Sequence, residues 1–242
     1  MKPMTDFLNI DRGGAKQETE SVGGGRELFN SNVYPAKVKQ AYLDQYDSGS
    51  RFCSVTLDIN GKDYEERLLL TNSKGEGFWK DRDGNPQQFG GLTRLDELAF
   101  AAGFPNVQAT GVAPGTIRAW DKDAKAFVLR QHQTVLTGLQ GKQVLVALQK
   151  VHQNKQVKNP VTTKYDKINE AEEVNQIEKF ANLQKQTQLE AAKNINPPTF
   201  IDTWSEKWNG KVKNTYKEQK NAPTQGTPTA SGGSAASENL FG

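Results

Sequence analysis

Residues 50–70, SRFCSVTLDINGKDYEERLLL, constrain the fold more tightly than any other stretch of the chain. Cys53, Val55, Leu57 and Ile59 alternate with Phe52, Ser54, Thr56 and Asp58, so a strand here has one apolar and one mixed face. Asn60-Gly61 suits the positive-φ positions of a tight hairpin, and DYEERLLL reads as the returning strand. Upstream, NVYPAKVKQAYLDQY (32–46) is rich in aromatic and β-branched residues and runs into the turn signal DSGS. Residues 32–70 are therefore predicted to form a three-stranded antiparallel meander.

Farther on, LTRLDELAFAAG (92–103) switches to helical spacing, with Leu92, Leu95, Leu98, Ala99 and Ala102 on one side and Gly103 as the stop. Residues 104–125 read as connection, AFVLR (126–130) and QVLVALQKVHQ (143–153) as two further strands. The order β-β-β-α-β-β is that of an OB-fold, against which SH3-like barrels and cystatin-like sheets compete. The expected class is mainly β with α: a five-stranded OB barrel with a helix between its third and fourth strands. INEAEEVNQIEKFANLQKQTQLEAAKN (168–194) carries Ile168, Val174, Ile177 and Ala181 at helical steps, and FIDTWSEKWNG spaces Phe200, Trp204 and Trp208 by four. The predicted organisation is a flexible lead (1–28), the barrel (29–165), a C-terminal helical extension (166–209) and a disordered tail (210–242).

Composition narrows the chemistry. A net charge of +3 permits a polyanionic partner without demanding one, so any basic surface must come from local arrangement. The single Cys53 excludes a disulfide framework and a cysteine zinc cluster. MKPMTDFLNI lacks the apolar run of a signal peptide, and no stretch approaches membrane-spanning length, so a cytoplasmic protein without membrane contact is expected. GEGFWK begins like a dinucleotide cradle but ends in lysine and precedes more loop. DRDGNPQQFGGL resembles a calcium loop, yet Pro86 stands where the turning glycine belongs and Leu92 where the bidentate glutamate belongs; a β-turn is the simpler reading. His132 and His152 have no ligand partner at metal spacing. No catalytic residue, metal or cofactor is expected. A nuclease built from Asp58, Glu65 and Glu66 is the enzymatic rival, against the simpler account of a charged strand face.

What the chain does offer is rings interleaved with cations. Phe52 stands on the mixed face beside Arg51, Tyr64 and Arg67 repeat the theme, and so do Lys37, Lys39, Tyr42 and Tyr46. TNSKGEGFWKDRDGNPQQFGG (71–91) adds Lys74, Phe78, Trp79, Lys80 and Arg82 in a stretch read as too glycine-rich for strand or helix. Such a loop either tucks its rings onto the core or presents them to a ligand. Proteins that grip single strands need this mixture, because cations follow the backbone while rings stack on bases.

Together the glycine-rich lead, the meander from Asn32 to Leu70, the following helix and the late GLQGKQVLVALQKV, with its Leu139–Gly141–Lys142 turn, resemble the single-stranded DNA-binding proteins of tailed bacteriophages. That resemblance covers roughly residues 29–180 and implies a divergent OB-fold that coats single-stranded DNA during replication, recombination or repair. It implies strand contacts by Lys37, Lys39, Tyr42, Arg51, Phe52, Tyr64, Arg67, Lys74, Phe78, Trp79, Lys80 and Arg82. A flexible tail in such proteins recruits replication or recombination proteins through an acidic tip. Here the end is SENLFG, with Glu238 its only acid and Phe241 penultimate, so the acidic tip is absent. The alternative is a protein-interaction module that docks on a replication or transcription enzyme through Phe200, Trp204, Trp208 and the tail.

Overall fold

A computed structural model describes residues 28–121, 123–158 and 165–219; nearly all of the expected lead, and the tail beyond residue 219, lie outside these. The meander forms as predicted: β1 (Asn32–Gln45), β2 (Arg51–Ile59) and β3 (Lys62–Leu69) pair antiparallel, with Asn60 and Gly61 both at positive φ in the turn. Cys53, Val55, Leu57 and Ile59 are fully buried in the main core with Val38, Ala41 and Leu68.

The 71–91 stretch corrects one expectation. It folds into a small hairpin of its own, β4 (Phe78–Lys80) with β5 (Pro86–Gln88). Asp81 organises the turn by accepting from the Asp83 and Asn85 N–H groups and from Gln87 Nε2. Those hydrogen bonds, the Asn85 main chain foremost, hold its carboxyl below the usual range. The turn reading is thus right, and the carboxylate is spent on its own backbone.

Helix α1 (Gly90–Ala101) follows, burying Leu95, Leu98 and Ala99. Its approach to β3 is set by adjacent glycines with opposite surroundings. A Cβ on Gly90 would meet nothing, whereas one on Gly91 would enter the Leu68–Leu69 main chain. Gly90→Ala is expected to leave the melting midpoint unchanged or slightly raised. Gly91→Ala should push α1 off the sheet at a cost of roughly 1–3 kcal/mol or more, read as a lowered urea midpoint.

Residues 104–125 are more than connection. β6 (Ala113–Asp121) and β7 (Ala126–Val135) form an antiparallel hairpin, joined to β1 at Tyr42–Val135. Pro114 and a register irregularity at Ala113–Gly115 hide the alternation at its start. β8 (Gln143–Lys158) pairs antiparallel with the first half of β1. The predicted helix over 168–194 is overturned. β9 (Tyr165–Ala181) runs antiparallel along β8, and only Gln188–Ala192 (α2) is helical. Irregularities at Ala147–Leu148 and Asn154–Gln156 interrupt the ladder, and Ile168 and Ile177, nine residues apart, are both buried. The sequence therefore showed no clean period of two.

The sheet is large, mostly antiparallel and, among the described residues, not closed by main-chain bonding. Among the described residues β3 and β9 share no ladder; the Glu66 carboxylate accepts from Ile177 N–H (2.9 Å) and Tyr64 Oη donates to the Asn175 carbonyl (3.1 Å) across the seam. α1 plugs the same side: buried Glu97 holds both Arg94 and β9 Lys179.

α3 (Phe200–Trp208) forms as predicted, but Ile201 and Trp204 are buried, and the helix packs on β1 and β8 of its own chain. Residues 210–219, expected in the disordered tail, are pinned. β8 loses β1 as a partner beyond Leu148, and β10 (Val212–Asn214) takes the open edge in parallel. Asn154 and Asn169 then clamp the main chain of Lys217 and Gln219 with their side-chain amides. No helix among the described residues is long and apolar enough to cross a membrane.

Candidate functional site

The alternation that buries Cys53 and Leu57 turns Phe52, Ser54 and Thr56 to the other face, beside Asp63, Glu65 and Arg67 of β3. On β1 the irregularity between Val38 and Gln40 inserts one residue, so that Lys39 and Gln40 both turn this way, ahead of Tyr42 and Asp44. This face was expected to carry single-strand contacts through Phe52 and Arg67. The β6–β7 hairpin lies over it, and Phe52, Ser54 and Thr56 are buried.

Gln40 fastens the hairpin. Its side-chain amide donates to the Arg118 carbonyl (2.8 Å) and its side-chain oxygen accepts from Arg118 N–H (2.9 Å), so one side chain substitutes for a neighbouring strand. Beneath, Tyr42, Ile117, Ala119 and Val135 make a second small core, and His132 packs edge-on against Tyr42.

Between hairpin and meander runs a cleft of two adjoining hollows, about 330 and 400 Å³, which share Glu65 and Phe127. Trp120 and Phe127 face each other across the hairpin, edge to face at 5.4 Å, and remain 52% and 47% exposed. Rings this exposed contribute little to the fold and offer surface to a ligand. The Arg118 guanidinium lies 4.7 Å from the Phe127 centroid, and Arg67 lies 5.2 Å from that of Phe52, which also packs against Tyr46.

The cations are partly compensated. Asp63 accepts from Lys39 (2.7 Å) and stands 3.4 Å from Arg118, while Asp44 stands 3.9 Å from Arg130. Glu65 accepts from the Ser54 hydroxyl (3.2 Å). At the floor the Thr56 hydroxyl is buried without a hydrogen-bond partner, an arrangement that costs roughly 1–3 kcal/mol.

Of the residues predicted for strand contact, the cleft gathers Lys39, Tyr42, Phe52 and Arg67. Tyr42 and Phe52 are floor rather than exposed platforms, at 4% and 5% exposure. Tyr64 turns the opposite way, into the main core against Phe29, because its neighbours Asp63 and Glu65 take the cleft face. Lys37 lines a separate shallow depression with Asp58 and Leu183. Arg51 is exposed at the start of β2. Lys74, Phe78, Trp79, Lys80 and Arg82 are exposed on and beside the β4–β5 hairpin, which contributes no residue to the cleft lining. Trp79 is therefore presented to solvent rather than tucked onto the core.

Sequence reasoning missed Arg118, Trp120, Phe127 and Arg130. A signal for them existed: in TIRAWDKDAKAFVLR, an apolar inward set (Ile117, Ala119) alternates with Arg118 and Trp120, and Phe127 follows the polar turn.

The rival acids do not converge. Asp58 accepts from Gly61 N–H in the turn, Glu66 reaches the β9 seam, and Glu65 faces the cleft. Among the described residues no group of three or more His, Cys, Asp or Glu side chains is placed to hold a metal ion. Burial pushes the Cys53 thiol up to about 12, which leaves it protonated at neutral pH. No protein-family model matches the chain, and no curated protein matches it in sequence.

Proposed function

We propose that the chain binds single-stranded DNA in the cleft beneath the β6–β7 hairpin, without strong sequence specificity. The sheet is then an OB-type barrel left open between β3 and β9. The observation that carries this reading is the opposed, half-exposed Trp120–Phe127 pair flanked by Arg118, Arg130, Lys39 and Arg67. Such rings stack on bases of any identity at roughly 1–3 kcal/mol each, while the cations follow the phosphates. The cleft also lies over the strand pair that carries ligands in OB-folds. Coating and protecting single strands in phage-type replication, recombination or repair is the role this binding serves. The rival docking role suits the aromatic face of α3 poorly, since Ile201 and Trp204 are packed within the chain.

The test is a titration of intrinsic tryptophan fluorescence with a thymidine oligomer and with a duplex of equal length, at low and moderate salt. Quenching by the single strand, with affinity that falls as salt rises, is the expected result. No response to either nucleic acid, together with no gel shift, refutes the reading.

A further inference from the structure

The cleft keeps its own anions beside its cations, and Asp63 is the best placed. It sits on β3 between Lys39 of β1 and Arg118 of the overhanging β6, and one carboxylate serves both. All three side chains are partly exposed, at 47% for Lys39, 35% for Asp63 and 57% for Arg118. Ion pairs this wet are worth little and exchange readily. The hairpin does not need Asp63 as an anchor, because Gln40 holds the Arg118 main chain and the Tyr42 cluster holds its underside.

We propose that Asp63 is a built-in competitor for phosphate: it holds Lys39 and Arg118 until a ligand with enough further contacts, as a phosphodiester strand has, displaces it. The inference rests on the single-strand reading of the cleft. A phosphodiester presents two acceptor oxygens, which suit the Arg118 fork and Lys39 together. An isolated anion must displace Asp63 for one set of contacts. A strand displaces it while also stacking on Trp120 and Phe127 and placing a second phosphate near Arg130 and Arg67. Asp44 beside Arg130 repeats the arrangement at the other hollow.

Asp63→Asn keeps the shape and removes the charge. In the full chain it is expected to tighten binding of a thymidine oligomer about tenfold at low salt, since a unit charge is removed within a few ångströms of the incoming phosphate. The gain should shrink as salt rises. Inorganic phosphate should compete with the oligomer at lower concentration in Asp63→Asn than in wild type, and Asp63→Glu should behave as wild type. If Asp63→Asn does not melt cooperatively, Asp63→Ser replaces it in the same comparison. Wild-type binding with unchanged or weaker binding by the neutral variant, or with no change in phosphate competition, overturns the inference and leaves the single-strand reading standing. No oligomer binding by wild type overturns both.

Discussion

Trp120→Ala/Phe127→Ala is expected to weaken single-strand binding on the order of 100-fold while the protein melts within a few degrees of wild type. Two stacked rings at roughly 1–3 kcal/mol each would predict up to several powers of ten. The rings touch one another, however, and Phe127 also supports Arg118, so their losses overlap rather than add. Stability should change little because both side chains are half exposed and their removal opens no buried cavity. The informative control is Trp79→Ala, on a hairpin that contributes no residue to the cleft lining; it should change affinity less than about threefold, well below one stacking contribution. A reversed ranking in the same titration, with Trp79 dominant, would move the strand's path onto β4–β5 and away from the cleft.

The largest expected effect on stability belongs to Glu190, far from that cleft. Only 4% exposed, its carboxylate accepts from the Thr187 N–H and hydroxyl at 3.0 Å and from the Thr199 and Phe200 N–H groups at 2.7 and 2.8 Å. It completes the capping box of α2 and caps α3 at the same time. Glu190→Ala strands these donors and should cost roughly 3–4 kcal/mol in urea unfolding. Burial alone raises its pKa, but the hydrogen bonds from Thr187, Phe200 and Thr199 outweigh that and lower it. The stabilisation is therefore full above the ordinary carboxylate range, near pH 4.3 for an unfolded glutamate, and is lost as pH falls through the lower folded value. Wild type should lose part of its stability in that acid window, and Glu190→Gln should lose less there. Equal acid sensitivity in the two proteins would remove Glu190 as the cause.

The parts of this fold that could be read from the sequence are mainly those where one period holds without interruption. β2, β3 and α1 keep their apolar spacing from end to end and formed where expected; β1, whose alternation Lys39 interrupts, was legible from its aromatic and β-branched content. β9 did not, because irregularities at both ends of its central ladder interrupt the strand and Ile168, Val174 and Ile177 stand at steps that fit a helix as well. Half of the cleft was legible for the same reason: Phe52 and Arg67 stand on a regular strand face. The other half is contributed by a hairpin whose pairing begins behind Pro114, and nothing local in TIRAWDKDAKAFVLR says which surface it will cover. That depends on Gln40, whose role as a stand-in for a strand exists only once β1 is bent.

The extra residue in β1 also decides which lengths of this strand the sheet can accept. Val38 and Gln40 face consecutive residues of β2, Leu57 and Thr56, with Lys39 unmatched between them. Losing Lys39 would join two halves that already agree on which side is inward, so the ladder would close and only the bend and one cation would go. Losing Gln40 would close the ladder equally but would take the hairpin's fastening with it, and losing Ala41 or Tyr42 would put Gln40 on the inward face. Across homologous chains, length variation by one residue in this strand should therefore fall at position 39.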